Sequence, residues 1–185
     1  MTPSLSVSRT TGSSRKQQGN ALLYTLLALV LGGIGLAVGV NQYQEAERAT
    51  SVQASVGEIN SIIGAAKQNF GQYNYAGLTT AAAVGSQVIP AGMATSATVA
   101  ANKFGGAVTL VDHNLTTPGT ALLSYAGVPA EVCTNIVNGT QALARRIQVA
   151  AADVKPLNGS VDIGDLTTQC TSAATVTIAW TIGRT

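Results

Sequence analysis

The sequence predicts an α+β protein: a long N-terminal helix, apolar all round in its first half and amphipathic in its second, packed on a small antiparallel sheet. Three observations carry this. The 21 residues from Asn20 to Val40 contain no charged side chain. From Ala46 to Phe70, apolar residues recur at intervals of three and four, the spacing of one helix face. Beyond residue 100 the chain carries short β-branched runs separated by turn residues, of which "ATVTIAWTI" (Ala174 to Ile182) alternates most clearly,. The expected organisation is a basic leader (1–19), a long helix (20–70, with 20–40 membrane-spanning) and a globular head (71–185).

The leader holds Arg9, Arg15 and Lys16 and no acid. Without it, seven Lys/Arg face eight Asp/Glu, so the body is near neutral and offers no electrostatic footprint for nucleic acid. The charge-free run that follows would rise about 31 Å as a helix, enough to cross the hydrocarbon core. It exceeds a secretory h-region in length and ends without a small-residue cleavage site. With the basic residues all on its N-terminal side, the leader should stay in the cytoplasm and the rest be exported. Gly32, Gly33, Gly35 and Gly39 weaken this helix by about 1 kcal/mol each relative to Ala in an exposed interior. They suit either close helix packing or a stretch that unwinds when its surroundings change.

The second half of the helix places Ala46, Ala49, Val52, Val56, Ile59, Ile63, Ala66 and Phe70 on one face, with Glu45, Arg48, Ser51, Ser55 and Glu58 on others. Gly71 and "QYNYAG" mark its end. Residues 71–105 read as a long irregular connection, with a candidate short helix through "LTTAAAVGS". "GGAVTLVD" (105–112) and "TALLSYAG" (120–127) form a hairpin around the turn-rich "HNLTTPG". "VPAEVCTNIVNGTQALARR" reads as a helix with Pro129 at its first turn and Glu131 favouring the N-terminal dipole, open to a break at Asn138-Gly139. "NGSVDIGDL" reads as a turn and short strand, and "ATVTIAWTI" as a buried terminal strand.

Cys133 and Cys170 are the only cysteines. In an exported body they read as one disulfide, closing a loop of about 38 residues for roughly 4 kcal/mol in the chain-entropy model; two buried free thiols are the alternative. The single histidine, His113, lies on a turn beside Asp112 and reads as a surface turn residue rather than a base. Two cysteines and one histidine make no zinc site, the Gly-rich stretches lack the strand–helix context of phosphate loops, and no enzyme activity, cofactor or metal is expected. The Asn-x-Ser/Thr sites at Asn114, Asn138 and Asn158 are what chance supplies in a chain rich in Asn and Thr.

A basic leader, a glycine, an apolar helix continued by an amphipathic one, and a small head with two late cysteines together resemble a type IV prepilin. The leader length and cysteine pair resemble the type IVb class. "NYAGLTTAAAVGSQVIPAGM", "NKFGGAVTL" and "LLSYAGVPAEVCTNIV" are similar to the PilS family, which includes thin-pilus subunits of conjugative plasmids; "VCTNIV" and the segment from the last cysteine onward are also similar to toxin-coregulated pilins. The resemblance implies a type IV pilin fold and cleavage by a prepilin peptidase after Gly19. Asn20 is then the new, usually methylated N-terminus. It implies that the apolar helix is kept, first as an inner-membrane anchor and then as filament core, and that the subunit's partners are copies of itself and the assembly platform. The function implied is an extracellular pilus for adhesion, aggregation or conjugative mating.

Two positions depart from the family pattern. Asn20 replaces the usual apolar first residue, and Tyr24 stands where the family has a glutamate compensating a neighbour's buried amine. An unpaired buried charge is expensive, so the Tyr24 hydroxyl and backbone groups must satisfy that amine or it stays near water. Some minor pilins and type II secretion pseudopilins also lack the glutamate. Those, and a single-pass anchored periplasmic protein that never polymerises, are the alternatives.

Overall fold

The computed structural model describes residues 18–114 and 119–183, and within the N-terminal helix the side chains of 22–30, 42–43 and 45 onward. Helix α1 runs Gln18–Asn69, two residues ahead of the expected start at Asn20 and ending one short of Phe70. A 3₁₀ turn at Gly71–Tyr73 follows. The short helix α2 (Thr80–Gly85) begins at Thr79, whose hydroxyl accepts from the Ala82 N–H, an ordinary N-cap. The chain divides into two compact units between Glu47 and Arg48, so the second half of α1 belongs with the head.

The head is built on one six-stranded sheet in the order β1-β2-β3-β6-β4-β5, with every neighbouring pair antiparallel. The strands are β1 (Ala100–Ala101), β2 (Ala107–Asp112), β3 (Thr120–Pro129), β4 (Arg146–Val149), β5 (Ala152–Lys155) and β6 (Thr175–Gly183). The C-terminal strand β6 therefore lies inside the sheet, between β3 and β4. Register places two apolar rows across one face: Leu110–Leu123–Trp180–Ile147 and Val108–Tyr125–Ile178–Val149. All eight side chains are buried. The period of two puts Thr109, Ser124, Ala179 and Gln148 on the other face,.

Helix α1 joins this core through Ile59, Ile62, Ile63 and Ala66, all fully buried, with Val52, Ala65 and Phe70 partly so. The predicted stripe holds from Val52 onward, whereas Ala46 and Ala49 are exposed. Two residues expected on outer faces turn inward. Ser55 is buried, and Glu58 accepts a 2.8 Å hydrogen bond from the Tyr125 hydroxyl.

Helix α3 (Ala130–Thr140) passes unbroken through Asn138-Gly139, so the break considered at that point does not occur. The reason is packing: a Cβ on Gly139 would sit 2.8 Å from Val56 Cγ2, and glycine lets α3 approach α1. The segment "NGSVDIGDL" is not a strand. It is a turn followed by helix α4 (Ile163–Cys170). Asp162 caps that helix, its carboxylate accepting from the Gly164 and Asp165 N–H groups, and Leu166 and Cys170 form its buried side. Strands β4 and β5 were not expected. They join through Ala150 and Ala151, both at positive φ (49° and 68°).

Candidate assembly surface and disulfide-bounded head

In the first unit, the residues of α1 from Leu22 to Val30 are exposed without interruption. Leu22, Leu23, Tyr24, Leu26, Leu27, Leu29 and Val30 show 56–72% of their surface. Nine consecutive residues span two and a half turns, so this apolar surface faces every direction around the helix. Tyr24 contributes an exposed ring to it. The backbone is helical through Gly32, Gly33, Gly35 and Gly39, while the side chains around them lie outside the described residues. Gly19 and Asn20 fall in the first turn of α1; of the leader, residues 1–17 lie outside the described residues. So does much of the side-chain surface of the expected membrane span 20–40. Among the described residues, no helix is long and apolar enough to cross a membrane.

In the second unit, a disulfide joins Cys133 to Cys170 across 37 positions with Cα atoms 5.7 Å apart. It ties the first turn of α3 to the last residue of α4, and both cysteines are buried. The closed loop holds α3, β4, β5 and α4. Because β6 begins five residues after Cys170, the bond also fixes the entry of the chain into the sheet.

Two networks lock the elements around this loop. Trp180 packs edge-on to Tyr125 with centroids 6.4 Å apart. Its indole N–H donates to the Thr140 hydroxyl at 2.9 Å, and that hydroxyl donates to the Ile136 carbonyl. A buried indole N–H requires such a partner. The Tyr125 hydroxyl, held by Glu58, has its pKa pushed well above the ordinary tyrosine value, first by burial and then by the Glu58 hydrogen bond. Just ahead of β2, Gly106 has no room for a side chain: a Cβ would fall 1.9 Å from the Ala126 carbonyl oxygen. The Asn102 side chain spans this contact, donating to Ala126 O and accepting from the Phe104 and Gly106 N–H groups.

Other sequence-marked residues stay apart. His113 sits past the end of β2 with its backbone N–H on the Thr120 carbonyl. Among the described residues no group of three or more His, Cys, Asp or Glu could hold a metal ion. A groove of about 490 Å³ beside the β4–β5 turn is lined by Gln148, Ala150, Ala151, Ser172, Ala173, Thr175, Val176, Thr177 and Ala179. That lining holds methyls, hydroxyls and one amide, and no acid, base or nucleophile pair. Sequence reasoning missed the Tyr125–Glu58 and Trp180–Thr140 pairs, whose partners lie 67 and 40 residues apart.

A long helix laid on an antiparallel sheet, with a late disulfide bounding the segment ahead of the last strand, is the type IV pilin fold. The crystal structure of TcpA, a type IV pilin from Vibrio cholerae El Tor biotype, matches with a TM-score of 0.52 at 16% identity. The match covers 71% of this chain and 98% of that one. No curated protein matches the chain. Residues 35–183 match the family described as PilS N terminal. The chain belongs to the PilS family of type IVb pilins, and family and fold make it a structural subunit of a type IV pilus.

Proposed function

We propose that the chain is made as a membrane-anchored prepilin, loses residues 1–19 by cleavage between Gly19 and Asn20, and polymerises through α1 into an extracellular filament. The observation that carries this is the uncovered apolar surface from Leu22 to Val30. Covering seven large side chains is worth roughly 10 kcal/mol or more at about 1.5–3 kcal/mol each. No single copy realises that gain. Lipid supplies it to the precursor, and neighbouring helices supply it in the filament, so the exchange costs little hydrophobic free energy. A prepilin peptidase and an inner-membrane assembly platform are the partners this route needs. Adhesion, aggregation and conjugative mating are the uses such a filament serves.

Mass spectrometry of the subunit in sheared filaments tests this, with Asn20 expected as first residue and Gly19→Phe expected to leave full-length precursor in the membrane. Recovery of residues 1–19 in the extracellular subunit overturns the processing step. A second reading, as a minor pilin or pseudopilin, is favoured by Tyr24 in place of the glutamate. The abundance of the chain in those filaments separates the two.

A further inference from the structure

Three cations converge on the turn that follows α3, at residues 141–145, and among the described residues none of them is paired with a carboxylate. Lys67, near the end of α1, donates to the Leu143 carbonyl at 3.0 Å. Lys155, the last residue of β5, donates to the Gln141 and Ala144 carbonyls at 2.5 and 2.7 Å. Arg145 follows in the same turn, its Nε 3.1 Å from Asn158 Oδ1. Those carbonyls carry no formal charge, and of them only Gln141 caps the helix, where about half a negative charge gathers, so they satisfy the lysine donors and leave a net charge of about +2.5 on one half-buried patch. The ion pairs among the described residues, Arg48–Glu131 and Arg146–Asp153, do not enter it. Burial pushes the Lys155 ammonium down, and no carboxylate opposes that shift.

The complementary imbalance lies at Glu45 and Glu47, both exposed. The nearest cation along the helix, Arg48, is drawn to Glu131 at 3.0 Å, which leaves both carboxylates without an ion pair among the described residues. The exposed acids of α4 differ: Asp162 caps the helix and Asp165 sits in its first turn, where the dipole favours a negative charge.

We propose that Glu45 and Glu47 of one copy dock on the Lys67–Arg145–Lys155 patch of a second copy. This rests on the filament reading above and names one of its lateral contacts. The two patches differ, so each copy offers both halves, and the contact can be made head to tail, the kind an open helical array is built from. Each patch repels its own kind, which rejects pairing of a patch with its own copy across the contact. Exposed pairs of this sort set register more than they add affinity, and salt weakens them.

The test uses cells making the full chain from two isotope-labelled pools, with zero-length carbodiimide coupling applied to sheared filaments and to membranes. A mixed-isotope peptide joining Glu45 or Glu47 to Lys67 or Lys155 is expected. Lys67→Glu with Arg145→Glu, which reverses the sign of the patch, and separately Glu45→Lys with Glu47→Lys, should each lower filament yield about tenfold, since like charges then face each other. Combining all four should restore yield to within about threefold of wild type. Filaments without the mixed-isotope peptide, coupling to Asp162 or Asp165 instead, or a combined variant no better than its parents would overturn the docking and leave the filament reading standing. Membranes that give the peptide while no filaments are shed would keep the docking and remove the filament reading. Neither peptide nor filaments would remove both.

Discussion

The residues around Leu22–Val30 and those around Val52–Phe70 belong to one helix, yet they spend their apolar surface differently. In the first stretch every residue is exposed. In the second, Ile59, Ile62, Ile63 and Ala66 are fully buried against the head, and the polar residues Gln53, Gln68 and Asn69 face out. The second stretch has one apolar face and finds its cover within the chain. The first is apolar on all faces, and no one-sided packing within a single copy can cover it. Hydrophobicity alone therefore does not say where a helix is buried; its angular distribution does.

That contrast can be broken most severely by a charge in the first stretch. Gly33→Asp should abolish filaments, because an ionised side chain inside packed apolar helices has no partner. Thermal unfolding of the head should not move in the same variant; a shift there would mean that the first stretch supports the head. Next in size is the disulfide. Cys133→Ser should cost about 2–5 kcal/mol of head stability, read by denaturant unfolding, with fewer surface filaments as a consequence.

Smaller is the link between α1 and the sheet. Tyr125→Phe removes a hydrogen bond to a charged group, worth about 1.5–3 kcal/mol. It should also change the alkaline limb of stability. The folded-state pKa of Tyr125 is raised, so its contribution is complete below the ordinary value near 10 and is lost as pH rises toward the folded value. Unfolding followed between pH 8 and 11 should show that loss in the wild type and a weaker one in Tyr125→Phe. Smallest is Tyr24→Phe, which removes one exposed hydroxyl and about 1 kcal/mol at most. Filament yield should stay near wild type, and Tyr24→Glu should be tolerated. Loss of assembly in Tyr24→Phe, with normal synthesis and cleavage, would make the hydroxyl essential.

Much of this fold was legible in the sequence because the signals were periodic. The stripe from Val52 to Phe70 was read from spacing, the β2–β3 hairpin from strand composition around a turn-rich stretch, β6 from β-branched alternation, and the cysteine pair from its isolation in an exported body. What escaped reading lacked local signals. Strands β4 and β5 are four residues each, and their turn uses Ala150-Ala151 at positive φ, where Asn or Gly would have announced a hairpin,. The helix after Asp162 is eight residues long and follows "NGSVD", whose turn composition suggested a strand boundary. Asn138-Gly139 reads locally as a breaker, and only the approach of Val56 explains why the glycine stays helical. Glu58 looked solvent-facing because its partner, Tyr125, lies in a distant strand. On the assembly side, the apolar run was plain, while the cationic patch required the tertiary meeting of Lys67, Arg145 and Lys155.

The central claim is that the head folds on its own core and that the helix before Arg48 is reserved for other molecules. A fragment of residues 48–185 tests it most directly, by sedimentation and thermal unfolding under oxidising conditions. The expected result is a monomer that unfolds cooperatively with the midpoint of the head in the full chain. A fragment that fails to fold, or one that still forms filaments, would contradict it.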